Sequence, residues 1–315
     1  MRFIFLVFIL SSIFSYAKVI KPTLILESKG LVNDFVFDGS KIYVANDEGS
    51  VEIFDLHSQK KIDEIFINPM FSAKQEWKNV KILSVDRLNG KTLIVSTNKN
   101  AFRDVWLHDG QNLKHIIKAK DKLPVKEARF IDEDKFLFGT LSYEMVLYNT
   151  NDSYSSYTKQ MEQSAFSDLE LSSDKNTMIT SSESGQITIS DVKTGKIIAQ
   201  PKPLNLDNVY QVAYQNGTIL TGGQDRRIGV YPKDDKPYYI KSDFLVYSVA
   251  LSPDAKLGVY SSDEENNLQV FKIASGEKTH TLKGHFAIPT KIKFYDQVGL
   301  FSAGYENKIF YWRLQ

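Results

Sequence analysis

An all-β fold, a seven-bladed β-propeller, is what this sequence predicts, and three observations carry the prediction. A unit of four short strands recurs along the chain, its apolar residues alternate with the period of two that a half-buried strand requires, and turns rich in Gly, Asn and Asp separate the strands. Residues 246–278 show the unit most clearly. Val249 and Leu251 alternate across a first strand, Ser252-Pro253-Asp254-Ala255 reverses the chain, and Leu257, Val259 and Tyr260 begin a second strand. Residues 263–267 make the next turn, Leu268, Val270 and Phe271 a third strand, and Ala274-Ser275-Gly276 a tight hairpin. A sheet with apolar residues on both faces cannot bury itself alone, so each unit must be sandwiched between copies.

Taken in order, the chain opens with Met1-Arg2, an apolar run over residues 3–14, and Ser15-Tyr16-Ala17 with small residues where a signal peptidase reads. The run is shorter than the roughly 20 residues that span a bilayer, and Lys18 follows it instead of a stop-transfer pattern. Residues 1–17 are therefore expected to be a removed signal, and residues 18–315 one domain. No twin Arg precedes the run and no Cys follows it, so the expectation is Sec export to a periplasm without a stable membrane anchor.

Seven first strands then align on an apolar triplet: Val32/Phe35/Phe37, Val80/Leu83/Val85, Val125/Ala128/Phe130, Phe166/Leu169/Leu171, Val209/Val212/Tyr214, Val246/Val249/Leu251 and Pro289/Ile292/Phe294. Their starts lie 37 to 48 residues apart, the spacing of a four-stranded blade. The last copy ends just after its third strand, at Leu314-Gln315, and lacks an outer strand. Thr23-Leu24-Ile25-Leu26 near the N-terminus is expected to fill that place and close the ring.

Composition narrows the function classes. Lys and Arg number 39 against 38 Asp and Glu, a net charge of +1, so no whole-molecule field favours nucleic acid. With no cysteine, disulfides, thiolate metal sites, iron–sulfur clusters and covalent haem are excluded. His57, His108, His115, His280 and His285 fall in outer strands or turns without the close spacing of a metal site. Gly222-Gly223 has no helix after it to bind phosphate, Thr194-Gly195-Lys196 is a hairpin turn, and Ser184-Gly185 lacks the preceding Gly of a nucleophile elbow. Asp263-Glu264-Glu265-Asn266-Asn267 lacks the spaced ligands of a calcium loop and reads as a solvated turn. No catalytic residue, metal or cofactor is expected, and the protein reads as a monomeric non-enzyme that binds another protein.

Two features are candidates for function. First strands line the axis of a propeller, and here they place Asp34, Glu127, Arg129, Asp168, Glu170, Lys291 and Lys293 along it, a polar channel of mixed charge. These groups either pair with one another around water or form a small-molecule site at the channel mouth. The second feature is a pair of insertions, residues 68–78 between copies one and two and residues 97–104 within copy two. Loops between blades and turns from second to third strand emerge on one face, so the two should meet. Met70, Phe71, Trp77 and Phe102, rimmed by Lys74, Lys78 and Arg103, have the composition of an interface anchor. The alternative is that Phe71 and Trp77 fold back to plug the gap between blades.

The repeat resembles the WD40 family over the whole of residues 18–315, in a degenerate form that mostly lacks the Gly-His and Trp-Asp dipeptides. Copy seven is nearest, with Gly284-His285, Ser302, Glu306 where the family has Asp, and Trp312. The resemblance implies a hydrogen-bonded structural tetrad of His285, Ser302, Glu306 and Trp312. Export, absent cysteine, diverged repeats and the closing phrase Gly304-Tyr305-Glu306-Asn307-Lys308-Ile309-Phe310-Tyr311-Trp312 look like the NapL accessory proteins of periplasmic nitrate reductase systems in ε-proteobacteria. That likeness implies a non-catalytic accessory whose partner is a periplasmic reductase component. Two other readings stay open: a propeller that binds a small molecule or quinone-type cofactor at its channel mouth, and an outer-membrane assembly scaffold that receives a strand at a blade edge.

Overall fold

A computed structural model describes residues 17–71, 76–98, 102–151 and 154–314. The expected export signal, apart from Ala17, lies outside the described residues, as does Lys74. Within them the strands assemble into seven blades around one axis, each an antiparallel sheet ordered from an inner first strand to an outer fourth. The inner strands are Val32–Asp38, Ile82–Leu88, Val125–Phe130, Phe166–Leu171, Val209–Gln215, Val249–Leu251 and Pro289–Phe294. Among the described residues the one helix is a single 3-10 turn, Ala119–Asp121.

Local chemistry explains the strand ends. Asn89-Gly90 and Asn216-Gly217 both carry positive φ at the two central positions (46° and 81°, 49° and 85°), the hairpin turn whose twist matches paired strands. The core then lies between blades. Seven clusters of buried apolar side chains occupy the seven gaps, from Tyr43, Ile65, Ile82 and Ile94 between blades one and two to Leu26, Phe35, Phe301 and Ile309 between seven and one. Close approach demands a small residue at one second-strand position. A Cβ on Gly222 of blade five would lie 2.7 Å from Val246 Cγ1 and 2.9 Å from the Val246 carbonyl of blade six, and one on Gly139 2.6 Å from the Phe166 ring.

The ring closes as expected. Leu24–Glu27 pairs antiparallel with Lys308–Arg313, Leu24 opposite Tyr311 and Leu26 opposite Ile309. Ser28 N donates to the Asn307 carbonyl (2.8 Å), and Ser28 Oγ donates to the buried Glu52 of blade one (2.5 Å), so the segment ties blade seven to blade one. An additional strand was not foreseen: Lys18–Ile20 pairs in parallel with the outer strand Lys278–Leu282 of blade six.

One register is corrected. In blade two the triplet is not Val80/Leu83/Val85. Val85 pairs with Ile94 as Phe35 pairs with Val44 in blade one, which puts Ile82, Val85 and Arg87 at the three positions. The shift is two residues, which keeps every side chain on its own face, so apolar alternation could not detect it. His108 is a second adjustment, since it ends the third strand Arg103–His108 and not an outer strand or turn.

Candidate functional site

The channel is built from two rings of first-strand residues. Six blades carry a bulge just before the upper ring, which aims Asp34, Ser84, Glu127, Asp168, Gln211 and Lys291 inward. Two residues on lie Val36, Asp86, Arg129, Glu170, Ala213, Ala250 and Lys293. The corrected register of blade two adds Ser84 and Asp86, which the apolar alignment missed.

Several of these side chains stitch blades together. Asp34 accepts from the Val85 amide of the next blade (3.1 Å), Asp86 from Phe130 (2.7 Å), Asp168 from Val212 (3.0 Å) and the Gln211 amide oxygen from Val249 (2.9 Å). Bonds of a charged acceptor to buried amides are the stronger kind. Lys291 Nζ stands 3.8 Å from Asp34 and 3.9 Å from Asp168, Lys293 Nζ 3.6 Å from Asp34, and Arg129 pairs with Glu127 and donates to Ser84 Oγ (3.1 Å).

The electrostatics follow from this packing. Burial raises the Asp34 carboxyl, but Lys293, Lys291, Arg129 and the Val85 amide outweigh it and hold it down at about 2. Burial pushes Glu127 up to about 7 against the pull of Arg129, with Asp168 adding to the rise. The two effects compete across one ion pair, since Glu127 also helps hold Arg129 charged. Burial likewise raises Asp168 and Glu170 and lowers Lys293, whereas in Lys291 the charges of Asp34 and Asp168 overcome burial and raise it. At each end the channel opens into a cavity. One, of about 360 Å³, is lined by Arg87, Arg129, Glu170, Gln215 and Lys293; the other, of about 370 Å³, by Asp34, Arg103, Glu127, Lys126, Lys291 and Tyr305. Among the described residues no group of three or more His, Asp or Glu is placed to hold a metal ion.

In blade seven the donors form one chain. Trp312 Nε1–H donates to Ser302 Oγ, the hydroxyl bonds His285 Nε2, and His285 Nδ1 bonds the Glu306 carboxylate, each at 2.7 Å. All four side chains are buried, and the longer Glu reaches where an Asp would serve. Blade five repeats the arrangement with other residues. Thr221 Oγ1 donates to Asn205 Oδ1 (2.6 Å), Asn205 Nδ2 to Asp225 (2.9 Å), and the Leu204 amide to Tyr231 (2.8 Å). Thr221, Asp225 and Tyr231 follow the offsets of Ser302, Glu306 and Trp312, a signal that the absence of His concealed. Blade two keeps a Trp–Ser pair, Trp106 Nε1 to Ser96 Oγ at 2.9 Å, with His115 stacked on the indole at 3.8 Å and bonded to Asp104 at 3.0 Å.

Within the first insertion Met70–Phe71 pairs antiparallel with Trp77–Lys78, Phe71 opposite Trp77. Phe71 and Trp77 meet edge to face, their centroids 5.5 Å apart, yet Trp77 is 72% and Phe71 43% exposed. They project from the surface and do not plug the gap; Met70 packs there, against the core shared by blades one and two. The hairpin's exit joins the second insertion through Lys81 and Thr97, whose backbones and side chain exchange two bonds of 2.9 Å. Phe102 is half-buried, and Arg103 lines the channel mouth alongside Asp34 and Glu127.

Comparisons with known proteins bear on the fold. No protein-family model matches the chain. A stretch of 107 residues, 32% of this chain, is 31% identical to autophagy-related protein 16 of Arabidopsis thaliana, and it spans only 21% of that protein's length. Among solved structures, the β-propeller domain of Cps50 (Swd1) from Myceliophteria thermophila superimposes with a TM-score of 0.75, covering 93% of this chain and 99% of that domain at 16% identity. The chain is a seven-bladed, WD40-like β-propeller.

Proposed function

We propose that the protein is a non-catalytic interaction scaffold of the periplasm that supports a periplasmic reductase, in the manner of nitrate reductase accessory proteins. The observation that carries the reading is the exposed Phe71–Trp77 pair on an insertion between blades, since a folded monomer gains little by presenting an indole at 72% exposure to water. Aromatic anchors of this kind dominate the energetics of protein interfaces. The channel's charges are engaged with one another and with backbone amides, which argues for a structural part and against catalysis. The export signal is inferred from residues 1–17; among the described residues no helix is long and apolar enough to cross a membrane.

The test is binding of the purified protein to a purified periplasmic nitrate reductase. Binding is expected, and F71A/W77A should weaken it while circular dichroism is unchanged. Absence of binding by the wild type would sink the partner assignment, and equal affinity of the double variant would sink the assignment of the hairpin.

A further inference from the structure

Blade six departs from its neighbours at the tetrad position, and the departure leaves a polar cavity. Tyr260 pairs with Val249 as Ser302 pairs with Ile292, so a tyrosine stands where blade seven has its serine. Phe271, in the place of Trp312, packs edge to face on the Tyr260 ring at 5.8 Å and offers no donor. The ring is thus accounted for by the core between blades five and six. The hydroxyl is not: Tyr260 is wholly buried, and its oxygen has no hydrogen-bond partner among the described residues.

Tyr260 borders a cavity of about 290 Å³ together with Asp243, Asp263, Glu265, Gln269, Lys278 and Val19 of the N-terminal strand. An unmet buried hydroxyl is costly, so a ligand able to bond it has an advantage from the outset. The rim carboxylates favour a cation. A metal ion fits poorly, because no group of three or more ligating side chains is placed for one among the described residues. Asp263 moreover already accepts from Ser262 Oγ (2.9 Å) and from the Asn267 amide and side chain (3.0 Å each). Lys278 and Lys283, which also line the cavity, disfavour a second positive charge.

We propose that this cavity binds a small molecule bearing one primary ammonium group, whose N–H donors are received by the Tyr260 hydroxyl oxygen and the carboxylate of Asp243. The site is independent of the scaffold reading and of the hairpin.

Calorimetric titration of the purified protein with n-propylammonium chloride, against sodium propionate and potassium chloride, tests it. Saturable binding of propylammonium alone is expected, weakened about tenfold in Y260F and lost in D243N, as for hydrogen bonds to a charged group. Y260F should unfold at or above the wild-type midpoint, because only an unpartnered hydroxyl is removed. The proposal is overturned by a lack of saturable heat, by equal affinity in Y260F, by an equal response to potassium, or by marked destabilisation of Y260F, which would place a structural partner on the hydroxyl.

Discussion

Ser302 illustrates how one side chain can hold a blade. It receives the Trp312 indole N–H and bonds His285, so S302A strands two buried polar groups. The loss should be about 2–3 kcal/mol in urea unfolding, with the slope unchanged; a change below about 0.5 kcal/mol would show that the network does not stabilise the fold. Glu127 gives a prediction in pH. Its folded pKa of about 7 lies above its ordinary value of 4.5, so its contribution to stability is fully present below the unfolded value and lost as pH rises through the folded one. Wild-type stability should therefore fall between about pH 5 and 8, by of order 2 kcal/mol, and E127Q should show a shallower fall, its remainder coming from Asp168 and Glu170. Asp34 acts with the opposite sign: its contribution is present above 3.8 and is lost as pH falls toward 2. Equal slopes for wild type and E127Q would mean that the ion pair to Arg129 keeps Glu127 ionised throughout. Of these residues, the blade-seven tetrad was expected from the family resemblance, and the seven channel charges from their positions in the repeat. The bonds from Asp34 and Asp168 to the next blade's amides were not, because a bulge aims them and alternation does not record bulges.

Strands were legible where β-branched residues alternate between Asn-Gly or Asp-rich turns, as in Val209–Gln215 and Thr218–Gly223. Blade two was misread by two residues because Val80, Ile82, Leu83 and Val85 offer two apolar frames, and the pairing of Val85 with Ile94, together with the bonds of Ser84 and Asp86 across to blade three, decides between them. Lys18–Ile20 was missed because three mostly exposed residues carry no pattern. Two predictions belong at this scale. G222A should destabilise by about 1–3 kcal/mol, since the new methyl meets Val246 and its carbonyl; a neutral result would mean that blades five and six can separate freely. Deleting residues 18–27 removes both N-terminal strands and bares the third strand of blade seven. The thermal midpoint should drop by about 10 °C or more, and an unchanged midpoint would deny the closure any role in stability.

At the scale of the molecule, packing and function separate cleanly. Seven apolar gaps and a self-paired channel account for the ring, whereas the paired strands Met70–Phe71 and Trp77–Lys78 join it through Met70, which packs on the core of blades one and two. The length of the gap between copies one and two marked them as an insertion in the sequence; their two aromatic rings stand outward while Met70 packs in the gap. Affinity for a purified periplasmic nitrate reductase, measured for the wild type and for F71A/W77A, bears most directly on the scaffold reading. A loss of about 100-fold in the double variant, with folding intact, is the predicted result; identical affinities, or no binding by the wild type, would contradict it.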